Sequence, residues 1–118
     1  MSFSLAIQIQ SDICFFLLSG VILSNDKHEK TLDLIDEKIE EGQRKFILDL
    51  KELKYINSSG LNYILRIFTH IRNKGGGLVL IHANKAVSDL FKISKLNTVF
   101  SIAADKQAAI NQLNAPEA

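Results

Sequence analysis

Residues 46–50, Phe-Ile-Leu-Asp-Leu, and residues 78–81, Leu-Val-Leu-Ile, are short and almost wholly apolar. Between them Leu61, Ile64, Leu65, Phe68 and Ile71 recur at the spacing of one helix face. A strand, a helix and a second strand in this order impose a right-handed crossover and parallel pairing. Near-continuous apolar runs that do not alternate suit strands of a mostly parallel sheet.

The rest of the chain extends this unit. Phe3, Leu5, Ile7 and Ile9 alternate with Ser4, Ala6, Gln8 and Gln10, the period-2 signature of a half-buried strand. Ser11-Asp12 reads as a turn, and residues 13–18 as a second, central strand paired with the first as a hairpin. Ser19-Gly20 breaks that pattern and opens a loop through Ser24-Asn25-Asp26. Leu32, Ile35 and Ile39 mark a helix that Asn25 or Asp26 can cap and Gly42 can stop. After Gly75-Gly76-Gly77 and the strand at 78–81, Asn84 can cap a helix carrying Val87, Leu90 and Phe91. A short strand around 99–102 and a last helix capped by Asp105 complete the order. The expectation is an α/β domain over residues 1–113, with a mixed, mostly parallel sheet of about five strands and about four helices. Residues 114–118, with the only proline, Pro116, read as a flexible tail. Periodicity does not decide whether the helices cover one sheet face or both.

Composition narrows the functions. A net charge of +1 disfavours nucleic acid and an anionic membrane surface as partners. The single cysteine, Cys14, lies in an apolar run and reads as a buried small hydrophobe. Residues 1–10 lack a basic flank and a continuous apolar block, so a soluble, cytoplasmic protein without a signal peptide is expected. His28, His70 and His82 have no partner at ligand spacing, so no metal or other cofactor is expected. Gly75-Gly76-Gly77 runs from helix to strand, the reverse of a phosphate cradle. Asp49 and Glu52 could pair as catalytic carboxylates, but no nucleophile, base and orienting group come together, and solvated or capping roles fit them better. No enzyme is expected.

The segment Asn57-Ser58-Ser59-Gly60 stands out. It follows a strand and precedes a helix, at the sheet edge where ligands and partners engage. Three capping residues stand in a row where one suffices, which leaves a hydroxyl free on an accessible, flexible loop. A phosphate there adds about two negative charges beside a helix N-terminus that tolerates an anion. Plain capping explains the same residues.

The runs at 46–50, 56–61, 73–80 and 87–96 resemble the STAS domain of sulfate transporters and anti-sigma-factor antagonists, over essentially the whole chain. The resemblance to stand-alone bacterial members implies an antagonist that binds an anti-sigma factor, itself a GHKL-type serine kinase, and so releases a sigma factor. It implies phosphorylation of Ser58 by that kinase, with Ser59 as the runner-up, and reversal by a PP2C-type phosphatase. Leu23, Ser24, Asn25, Asn57, Ser58, Ser59, Gly60, Asn62, Tyr63 and Ile67 are the expected partner-binding residues. Tyr63 and Ile67, one turn apart, would form an apolar patch off the core face, beside Arg66 and His70.

The chain departs from the family pattern at three places. Asn57 replaces the usual aspartate, keeping capping ability and losing a charge. Leu23 stands where an aspartate often contacts the partner, and Lys95-Leu96 replaces the common Gly-Leu, a local capping change. The alternative readings are a constitutive adaptor in a signalling assembly without phosphorylation, and a small-molecule or nucleotide-binding domain using the loop edge of the sheet.

Overall fold

The computed structural model describes residues 3–22 and 28–114. Strands β1 (Phe3–Gln10) and β2 (Ile13–Ile22) form the expected antiparallel hairpin around Ser11-Asp12. Helix α1 (His28–Glu40), β3 (Lys45–Ile56), α2 (Ser58–Asn73), β4 (Gly77–Ile81), α3 (Lys85–Ile93), β5 (Ser101–Ala103) and α4 (Lys106–Asn114) follow. The strands lie in the sheet in chain order, and β2 to β5 are parallel.

That order settles which face the helices cover. Each parallel step moves one strand in the same direction, and right-handed crossovers then deliver α1, α2 and α3 to one face. Their side chains Ile35, Tyr63, Ile64, Phe68 and Phe91 join Cys14, Phe16, Phe46, Leu48 and Leu80 in the main core. The alternate residues Ile13, Ile47, Val79 and Ile81 point the other way, where α4 covers them with Ala109, Ile110 and Leu113. The dual apolar character of the central strands is therefore used on both sides.

β3 is longer than its sequence pattern indicates. Residues 51–55 continue the strand, and β2 likewise runs on through Ser19-Gly20 to Ile22. Between Leu17↔Asp49 and Ser19↔Glu52, and again between Gly20↔Leu53 and Val21↔Tyr55, β3 advances one residue more than β2. These two bulges make every third residue inward-facing, so Leu50, Leu53 and Ile56 are buried. Lys51, Glu52, Lys54 and Tyr55 are exposed between them. β4 ends opposite Asp49, and beyond it the Asn84 amide donates to the Leu53 and Lys54 carbonyls. The Asn84 Oδ1 meanwhile accepts from Val87 N–H as the cap of α3.

Gly42 and Gly75, at φ +100° and +85°, close α1 and α2 as expected. Cys14 is fully buried, and burial pushes its thiol up to about 11. Asn114 is the last residue of α4 and accepts from Lys45 Nζ at 2.6 Å. Residues 115–118 of the expected tail lie outside the described residues. No described helix is long and apolar enough to cross a membrane.

Lys95, which follows α3, holds φ +62°. A β-carbon in this left-handed conformation costs about 1–2 kcal/mol that glycine avoids, partly offset by glycine's freer unfolded chain. Lys95→Gly is expected to stabilise the fold by about 0.5–1 kcal/mol, raising the thermal midpoint by about 2–4 °C in calorimetry. An unchanged or lowered midpoint would show that the lysine side chain compensates.

Candidate functional site

The segment Asn57-Ser58-Ser59-Gly60 is built where the ends of β2 and β3 meet the first turn of α2. Asn57 is extended (φ −104°, ψ −167°), and its Oδ1 accepts from Gly60 N–H at 3.0 Å. Its carbonyl accepts from Leu61 N–H at 2.9 Å, so Asn57 is the N-cap. Its own N–H donates to the Ile22 carbonyl at 3.3 Å. With the cap supplied by Asn57, neither serine is required for it. Ser58, the first helical residue, is exposed, and Ser59 is half-buried.

Gly60 is not a hinge. It is buried, and a β-carbon there would lie 2.5 Å from the Ile22 carbonyl oxygen and 2.9 Å from Ile56 Cβ. The segment is thus a fixed helical turn, not the flexible loop expected from sequence. Glycine serves the close approach of helix to strand ends. Gly60 offers no surface to a partner, which corrects its place among the expected contact residues.

Tyr63 and Ile67 also require correction. Their exposures are 0% and 1%, so they form no surface patch. α2 packs against the sheet and α1 at once, which widens its buried arc beyond the face read from periodicity. Tyr63 OH is hydrogen-bonded to Thr31 on α1, and burial, opposed by that bond, raises the phenol pKa above its ordinary value. Leu65, assigned to the core face, is only partly buried. The residues that do face outward along α2 are Ser58, Asn62, Arg66, Thr69, Arg72 and Asn73. Leu23, Ser24 and Asn25 lie outside the described residues. Sequence reading missed Tyr55, 51% exposed at the second β3 bulge and two residues before the cap. Its only sequence signal was an aromatic in a stretch without strand alternation.

The first turn of α2 contains no acidic residue, and the basic residues His70 and Arg72 lie at the far end of the helix, in its last turn. An added phosphate would meet the positive end of the helix dipole and no neighbouring carboxylate from that turn. Among the described residues no group of three metal-ligating side chains gathers anywhere.

A second candidate lies on the opposite sheet face. A groove of about 330 Å³ is lined by Gln8, Phe15, Leu17, Asp49, His82 and Lys106 among others. Asp49 accepts from His82 Nδ1 and from Lys51 N–H, both at 3.0 Å, so it is no helix cap, and its side chain remains partly exposed. The lining holds no serine, threonine or cysteine that this carboxylate–imidazole pair could activate.

Residues 4–109 match the sequence profile of the STAS domain. The chain is 33% identical over 92 residues to BtrV of Bordetella bronchiseptica, covering 78% of each protein. It is 32% identical over 98 residues to the anti-sigma F factor antagonist of Paenibacillus polymyxa, covering 79% of this chain and 84% of that one. Among solved structures it superposes on the unphosphorylated anti-sigma factor antagonist SpoIIAA with a TM-score of 0.73 at 18% identity, covering 98% of this chain and 100% of the other. The phosphorylated form of the Bacillus protein SpoIIAA gives 0.67, also at 18% identity, with 94% and 100% covered.

The geometry separates fold-holding residues from the exposed serine. Gly60→Ala is expected to destabilise by about 2–3 kcal/mol, because both close contacts are to fixed backbone or Cβ atoms. Asn57→Ala should cost about 1 kcal/mol, and Ser58→Ala less than about 0.5 kcal/mol. Urea unfolding of the three variants measures this order. Equal losses for Gly60→Ala and Ser58→Ala would contradict it.

Proposed function

Because the chain belongs to the STAS domain family, we propose that it is an anti-sigma-factor antagonist switched off by phosphorylation of Ser58. In the unphosphorylated state it binds an anti-sigma factor that is also a GHKL-type serine kinase, and a sigma factor is released. That kinase transfers the γ-phosphoryl group of ATP to Ser58 Oγ. The P–O bond to ADP breaks, the new P–O bond to serine forms, and the hydroxyl proton leaves to a base of the kinase. A PP2C-type phosphatase then directs water at the phosphorus, returning the serine and inorganic phosphate.

The observation that carries this reading is the division of labour at the start of α2. Asn57 caps the helix and Gly60 seats it, so exposed Ser58 can be modified without disturbing either contact. Two forms of SpoIIAA, unphosphorylated and phosphorylated, share this chain's fold, which supports a switch that acts at the surface. Ser58 is favoured over Ser59 because it is the more exposed of the two. The cap role of Asn57 is one an aspartate could also fill, so the departure from Asp-Ser-Ser-Gly removes a charge next to the acceptor and leaves the turn intact.

Incubation with each GHKL-type serine kinase of the same genome and ATP should place one phosphate on Ser58, located by peptide mass mapping. Ser58→Ala should abolish labelling, Ser59→Ala should keep it, and Ser58→Asp should lose kinase binding. Labelling that persists in Ser58→Ala would move the site. A stable partner whose binding ignores Ser58→Asp would instead support a constitutive adaptor.

A further inference from the structure

We infer that the partner presents an acidic surface to the outer face of α2, with Arg66 as its principal ionic contact. The inference rests on the proposed reading of Ser58 and names the chemistry of the partner.

Ser58, Asn62, Arg66, Thr69 and Asn73 are spaced by four, four, three and four residues, so they form one exposed row along the helix. Neither α2 nor the residues flanking it, Asn57 and Lys74, include an aspartate or glutamate. Among the described residues Arg66 has no ion pair or hydrogen bond, and a guanidinium can take a carboxylate in bidentate fashion. Beside it lies a shallow groove of about 300 Å³ between α1 and α2, lined by Leu32, Leu65, Thr69, His70 and Asn73 as well as Arg66. The adjoining ridge on α1 has the opposite character, with Asp33, Glu37 and Glu40 exposed. His70 joins the two ridges through Asp36 at 2.7 Å. An acidic partner surface therefore has one orientation that places it over α2 and away from α1.

The sign of the switch points the same way. A phosphate on Ser58 adds about two negative charges at the end of this row, roughly 12 Å along the helix from Arg66. Against a basic partner surface that phosphate would strengthen binding. Against an acidic surface it becomes repulsion, which fits a switch that ends binding.

Binding of unphosphorylated protein to each GHKL-type serine kinase of the same genome is measured by calorimetry at low and high salt. Expected are affinity that falls with salt, a loss of about tenfold or more in Arg66→Glu, and a smaller loss in Arg66→Lys, which keeps the charge but not the bidentate fork. The thermal midpoint of Arg66→Glu should match the parent, because the side chain is exposed. If Ser58→Asp abolishes binding while Arg66→Glu and salt leave it unchanged, the acidic surface is overturned and the switch stands. If neither variant matters, or no kinase binds, both fall.

Discussion

The carbonyl of Ile22, the last residue of β2, fixes the geometry on which the site depends. It accepts the Asn57 N–H, and it lies where a β-carbon at position 60 would have to go. The first turn of α2 therefore sits directly on the ends of β2 and β3. Any side chain at Gly60 would lift the helix away from the strands and from the core residues Leu61 and Ile64 below it. The bulges in β3 serve the same junction. They bring Ile56 inward opposite Ile22, so that the chain leaves the sheet in the right direction to meet that carbonyl.

A rigid seat has a consequence for regulation. Where glycine and the cap hold a helix start in place, the exposed residue between them is free of structural duty. On the proposed reading the charge of that residue changes while the backbone stays fixed, and the information resides in surface potential. The acid-free row along α2 and the acidic ridge on α1 then form the field into which a phosphate is added. This arrangement needs no hinge, no lid and no rearrangement of the core.

Features set by local rules were legible in the sequence. The alternation of β1, the Leu32–Ile35–Ile39 face of α1, and the caps Asn84 and Asp105 each depend on residues within one or two turns. Features set by distant neighbours were not. The extension of β3 was hidden because its two bulges change the inward period from two to three. Tyr63 and Ile67 resembled surface residues because the arc that α1 covers cannot be read from α2 alone. At the site, an accessible hydroxyl in a cap-rich stretch was readable. The choice of Asn57 as the cap, and the role of Gly60 as a close-packing residue instead of a flexible one, required the Ile22 carbonyl, which lies 38 residues earlier in the chain than Gly60. The family resemblance singled out Ser58, and exposure gives that choice a physical reason.

The central claim is that modification of Ser58 alters the surface and leaves the fold untouched. Amide NMR spectra of the protein before and after stoichiometric phosphorylation test it directly. The account predicts shifts confined to the end of β3 and the first two turns of α2, with the remaining amides and the thermal midpoint unchanged. Shifts spreading through the core strands, or a midpoint lowered by many degrees, would contradict it.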